Sequence, residues 1–180
     1  MAKIKKIKGR QVFDSRGNRT VEAEIFSENG SRALAIVPSG ASTGTHEAFE
    51  LRDKNNKEYL GKSVLKAVDN INGPILNAIK NINTTEQKKI DKILVELDGT
   101  EKKSKLGANA ILAVSIASCK LAAIENKISL FKFLRKSNNY QLPIPLLNIM
   151  NGGVHANNAL EIQEFMIRPE NTKSFSESMK

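Results

Sequence analysis

Tryptophan is absent from this 180-residue chain, cysteine occurs once, and phenylalanine and tyrosine together make up 5% of it. Each scarcity removes a class of protein. A lone thiol forms no internal disulfide, and Cys119 lies within the apolar stretch 111–120 with no metal-ligand spacing around it, so it reads as core packing. Few aromatics leave few platforms for base stacking, and the 28 basic residues are scattered among 19 acidic ones instead of gathered in a block. The net charge of +9 therefore reads as a solvated basic surface, and no nucleic-acid partner is expected. No uninterrupted apolar run reaches bilayer-spanning length, and residues 1–10 alternate Lys with Ile instead of presenting a signal-peptide core. A cytoplasmic protein without membrane association is the expectation.

What is present is an ordinary globular composition, 40% hydrophobic and 26% charged, enough for one good core and part of a second. Residues 3–37 read as three strands. Ile4, Ile7 and Val12-Phe13 mark the first, Val21, Ala23 and Ile25 alternate with Glu22, Glu24 and Phe26 in the second, and residues 33–37 form the third. Short polar turns at 15–18 and 28–30, each with a glycine, favour antiparallel hairpins. A loop of small residues follows, Ser39, Gly40, Ala41, Ser42, Thr43 and Gly44, which lacks the lysine of a P-loop; by composition alone it is a flexible connector. His46 reads as an exposed loop or helix-start residue.

From residue 58 the period turns helical. Ile90, Ile93, Leu94 and Leu97 share one stripe, Thr84 with Gln87 resembles a capping box, and Gly99 is a suitable stop. The segment 108–123 is apolar almost all round and rich in small residues, which predicts a helix packed on every side. A short helix is expected over 129–135, then a linker to 141. Strands followed by helices predict an α+β domain over 1–138, with 139–180 beginning something else.

That second part opens with Pro143-Ile-Pro-Leu-Leu-Asn-Ile-Met-Asn-Gly-Gly-Val-His155 and continues with Leu160-Glu-Ile-Gln-Glu-Phe-Met-Ile167. Two short apolar runs flank a turn of Asn and Gly that carries a histidine, which predicts a strand pair with polar chemistry at its mouth. Gln163 and Glu164 interrupt the second run. An unpaired polar group in a buried strand costs about 1 to 3 kcal/mol and a charge more, so their presence points to a site; the plainer alternative is a strand that starts one residue later and leaves both in solvent. Two strands alone are marginal in water, so more chain is expected to cover them, making this the front part of a larger enzyme.

Five motifs now stand in order: Asp14-Ser-Arg-Gly-Asn18; Val37-Pro-Ser-Gly-Ala-Ser-Thr-Gly44; Leu97-Asp-Gly-Thr100 with Lys105-Leu-Gly-Ala-Asn-Ala-Ile-Leu-Ala-Val-Ser115; the run ending in His155; and Gln163-Glu-Phe-Met-Ile167. Together they resemble the enolase family over the whole chain. The resemblance implies an N-terminal capping domain, here 1–138, whose three-stranded antiparallel sheet is followed by helices, and then the first two strands of a truncated TIM-like α/β barrel over 139–180. It implies reversible Mg²⁺-dependent dehydration of 2-phospho-D-glycerate to phosphoenolpyruvate in glycolysis, by a homodimer. Enolisation of a carboxylate builds up charge that calls for a base, Mg²⁺ and an acid, and the enolase superfamily is the standing example of a Lys or His base working with Mg²⁺.

By resemblance, Ser42 in a mobile lid of residues 39–44 would contact a second Mg²⁺ as the lid closes, His155 would approach the phosphate or stabilise developing charge, Gln163 would bind substrate, and Glu164 would sit near the leaving hydroxyl. The family's Gly-Asp-Glu-Gly-Gly motif, the first-Mg²⁺ carboxylates, the lysine base and an Arg-Ser phosphate pair do not occur in these 180 residues. The chain alone is accordingly expected to be an inactive N-terminal fragment. Arg19 stands where the family usually has proline, and Val154 fills a variable slot. By resemblance, positions matching Arg10 and Glu22 make ion pairs across the family's dimer, with partners in the part of the family beyond these residues. A second class of function stays open: a non-catalytic binding module, or half of a split enzyme, that associates with a separate C-terminal part or with RNA.

Overall fold

A computed structural model describes residues 2–40, 44–54, 58–135, 137 and 139–180. The described residues form two compact units, divided near residue 136.

In the first unit, β1 (Ile4–Phe13), β2 (Arg19–Ser27) and β3 (Arg32–Val37) make an antiparallel sheet in the order β1-β2-β3. The predicted alternation sets the faces: Val21, Ala23 and Ile25 on β2 are fully buried, and β3 turns Ala33 and Ala35 the same way. The first hairpin is shaped by Asp14, whose Oδ1 accepts the Arg16 and Asn18 amides at 2.9 and 2.8 Å. Helix α1 (Leu65–Asn70) runs through a π turn, Ile71–Ile75, into α2 (Leu76–Ile79). Pro74 lies inside that turn, where its missing N–H breaks the regular ladder. Ile71, Ile75 and Ile79 nonetheless keep one fully buried stripe. The helical period thus begins at Leu65, later than the predicted 58; residues Tyr59–Gly61 form a single 3₁₀ turn instead.

Helix α3 (Gln87–Asp98) buries Ile90 and Leu94 and stops at Gly99 in the left-handed region, φ 69°. The predicted capping box at its start does not form. The Thr84 hydroxyl is buried without a hydrogen bond, while Gln87 Nε2 donates instead to Asp91 at 2.9 Å and to the Ser115 carbonyl at 3.2 Å. Asn83 takes over the local turn, accepting from the Thr85 amide at 3.0 Å.

Helix α4 (Ala108–Glu125) is the centre of this unit and packs against β2 and β3. Among the described helices it has the length and apolarity to span a bilayer, yet 56% of it is buried among its neighbours, as a core helix should be. Cys119 is buried on it, and desolvation, with a smaller contribution from Asp91, pushes its thiol above the ordinary cysteine range. That agrees with packing and not reactivity. Helix α5 (Leu130–Leu134) follows as predicted, starting after Ser129.

The second unit pairs β4 (Leu147–Asn151) antiparallel with β5 (Glu164–Ile167), from Leu147 opposite Ile167 to Asn151 opposite Glu164, with a register shift between Asn148 and Met150. A 3₁₀ turn, Gly153–His155, lies between them. The final helix, α6 (Phe175–Ser178), is capped by the Ser174 side chain, which accepts from the Glu177 amide at 3.2 Å.

Candidate active site

The turn after β4 is built around Gly152. Its amide donates to the Gln163 carbonyl at 3.0 Å, and the Gly153 amide to the Leu160 carbonyl at 2.7 Å. A Cβ at position 152 would stand 2.4 Å from the Ile162 carbonyl oxygen and 2.6 Å from Leu160, so only glycine lets the chain double back this closely. The consequence is positional: His155 at the end of the turn is brought against the start of β5.

There the three predicted polar residues meet. His155 Nδ1 lies 3.1 Å from Glu164 Oε1, and His155 Nε2 lies 2.6 Å from Gln163 Nε2. Glu164 is the first residue of β5, with Gln163 just ahead of it, and both are exposed. The alternative of a later strand start that leaves both in solvent therefore holds for their exposure, although Glu164 still belongs to β5. Even so, the two side chains turn onto one imidazole and do not simply enter solvent. A ring held at both nitrogens, beside a carboxylate and an amide, can bind an anion, pass a proton or orient a hydroxyl.

In the predicted lid, Ala41, Ser42 and Thr43 lie outside the described residues, which include its two ends. Ser39 Oγ donates to Glu50 Oε1 at 2.6 Å and accepts from Arg52 Nη2 at 2.7 Å. At the other end, the Gly44 amide donates to Glu47 Oε1 at 2.7 Å, and Gly40 between the ends is exposed. Arg52 further donates to the carbonyls of Lys62 at 2.5 Å and Arg19 at 3.2 Å and pairs with Glu50 at 2.8 Å, which ties four stretches of chain to one guanidinium. Sequence reasoning missed Arg52. Its flank Glu50-Leu-Arg-Asp53 has no periodicity, and only its run of alternating charge beside an apolar Leu could have drawn attention. His46 is an exposed turn residue, as expected.

The family model described as "Enolase, N-terminal domain" matches residues 4–134, and "Enolase, C-terminal TIM barrel domain" matches residues 139–180. The chain belongs to the enolase family. It is similar to an enolase of Pelagibacter ubique (strain HTCC1062), 60% identical over 180 residues, which is 100% of this chain and 43% of that relative. The chain thus spans less than half the length of this curated relative.

Several enolase motifs turn out to hold the fold. Asp98 is 2% exposed and accepts from the Leu106 amide at 2.7 Å, from the Thr100 amide at 3.0 Å and from the Thr100 hydroxyl. Burial pushes its carboxyl up, and these hydrogen bonds outweigh it, so the group sits below the usual carboxylate range. Asn109 brackets the Leu51 backbone, accepting from its amide at 3.2 Å and donating to its carbonyl at 3.1 Å. Gly107, at φ 93°, makes room for that contact, because a Cβ there would lie 2.5 Å from Leu51 Cβ.

On the outer face of the sheet, Arg10 bridges Glu22 at 2.5 Å and Glu24 within the chain. Glu24 is 5% exposed; the Arg10 hydrogen bond outweighs desolvation and holds its carboxyl below the usual range. Arg19, in place of the family's proline, lies with Cζ 3.5 Å from the centre of the Phe13 ring and 3.7 Å from that of Tyr59.

No group of three or more His, Cys, Asp or Glu side chains able to hold a metal occurs among the described residues. Magnesium asks for six hard oxygen ligands in octahedral geometry. The described donors do not fit a complete magnesium site.

Proposed function

We propose that this chain is the N-terminal part of an enolase, a lyase that reversibly dehydrates 2-phospho-D-glycerate to phosphoenolpyruvate with Mg²⁺ in glycolysis. The observation that carries the reading is the convergence of His155, Gln163 and Glu164 on one imidazole. In the reaction a proton leaves the carbon next to the carboxylate, and hydroxide leaves the neighbouring carbon. Of the chain's own groups, Glu164 stands beside the departing hydroxyl, Gln163 hydrogen-bonds the substrate, and His155 approaches its phosphate. By the resemblance, residues 39–44 would serve as a lid that excludes water and Ser42 would supply one hydroxyl oxygen to a second Mg²⁺; the donors that complete either metal site are not among these residues.

The proposed division is a capping domain over 1–138 and the opening of the barrel over 139–180. The working form is a cytoplasmic homodimer in which Arg10 and Glu22 lie at the contact between subunits, with no nucleic-acid partner. The isolated 180 residues are expected to form no phosphoenolpyruvate, since base and metal carboxylates are missing from them.

The test is a chimera in which these residues replace the matching stretch of the Pelagibacter ubique enolase, assayed for phosphoenolpyruvate formation. Mg²⁺-dependent turnover that disappears in Glu164→Gln and His155→Ala is expected. A folded chimera that binds 2-phosphoglycerate but does not turn it over would overturn the assignment of these roles.

A further inference from the structure

The two ring nitrogens of His155 have unlike partners. Nδ1 faces Glu164 Oε1 at 3.1 Å, and an ionised carboxylate only accepts, so Nδ1 carries the hydrogen. In the neutral ring Nε2 is then bare and accepts from the Gln163 NH₂ group, 2.6 Å away. Gln163 therefore turns its donor inward and its carbonyl outward, toward solvent and any arriving ligand.

Charging the imidazole reverses this. Nε2 gains a hydrogen, and two donors would face each other at 2.6 Å. The repulsion is relieved when the Gln163 amide turns over and offers Oε1 to the ring. That motion meets little resistance, because the terminal torsion of glutamine is broad and close to two-fold, and the side chain is exposed. After it, the NH₂ group faces outward. Glu164, contributed by β5, is the charged partner of the ring among the described residues, and it keeps its place in both states because Nδ1 donates to it throughout.

We propose that His155 and Gln163 form a proton-coupled amide switch, in which charging the imidazole turns Gln163 from an acceptor into a donor toward an anionic ligand. An anion bearing carboxylate or phosphate oxygens is repelled by an outward carbonyl and held by an outward NH₂, so its binding draws a proton onto His155. The identity of that anion rests on the proposed function; the switch itself stands on the three side chains.

The experiment is nitrogen-15 NMR of the whole chain, following the His155 ring nitrogens and the Gln163 side-chain amide through a pH titration. The expected result is hydrogen on Nδ1 of the neutral ring and a Gln163 amide shift that tracks the charging of His155. In Glu164→Gln, whose amide offers the ring a donor or an acceptor equally, the preference for Nδ1 should be lost. Hydrogen on Nε2 of the neutral ring, or a Gln163 amide indifferent to the titration of His155, would overturn the switch. An inactive chimera with this behaviour intact would remove the proposed reaction and leave the switch standing; a misplaced ring proton would do the reverse.

Discussion

The first unit buries a continuous set of Ile, Leu, Val and Ala side chains between sheet and helices, whereas in residues 139–180 the buried positions are Gly152 and Ser178. Leu146, Ile149 and Ile162 in the second unit are 62%, 64% and 59% exposed. Apolar burial at about 25 cal/mol per Å² is what offsets chain entropy, so the two regions differ in what holds them. The first is held by its core. The second is held by turn geometry and side-chain hydrogen bonds, which are of the kind that place functional groups but contribute little net stability.

The sharpest way to test this contrast is to remove equal amounts of side chain from both. Leu121→Ala empties a fully buried site and should cost about 2–5 kcal/mol in urea unfolding, while Ile149→Ala should stay within about 0.5 kcal/mol. Comparable losses at the two positions would end the distinction.

A smaller effect is expected where a polar group does structural work in the core. Asp98→Asn replaces an acceptor of three hydrogen bonds by a group with one acceptor, and should cost about 1–3 kcal/mol. The sign of the accompanying pH effect follows from its depressed folded-state pKa. Stability from Asp98 is fully present above the unfolded aspartate range and is lost as pH falls through that range to the lower folded value. Acid unfolding curves of the wild type and Asp98→Asn should therefore converge as pH drops; a constant gap would mean the carboxylate charge is not what matters.

Most visible locally is Gly152→Ala. The added methyl group meets backbone that cannot move without opening the β4–β5 pair. Hydrogen exchange should show the Gly152 and Gly153 amides losing protection, and the His155 ring should lose its Gln163 contact. Retained protection at both amides would mean that close approach does not build the site.

Much of this was legible in the sequence, because the signals were local. Alternation on β2, the stripe on α3 and the small-residue surface of α4 each follow from a single period, and the Asn-Gly-Gly turn announced the hairpin that carries His155. What was not legible depends on distant partners. Thr84 and Gln87 have the right spacing for a capping box, but Ser115, brought in by the packing of α3 on α4, competes with it for the Gln87 amide, as does Asp91 one turn along α3. Arg52 likewise acquires its meaning from Ser39, Lys62 and Arg19, which are far apart in sequence. The pairing of Arg10 with Glu22 and Glu24 was hidden for a simpler reason: register, which sets Arg10 opposite Glu22, is a property of two strands and not of either.

The contact of Arg19 with Phe13 and Tyr59 carries a consequence of its own. Relatives that place proline here stiffen the hairpin exit covalently, and this chain does so with a cation set against two rings that meet edge to face. Such a contact is reversible and open to competition by its own chemical kind. Guanidinium ions in solution should loosen the hairpin end ahead of the rest of the sheet, where urea of matched strength leaves it closed, so the choice of denaturant would itself reveal which chemistry latches the turn.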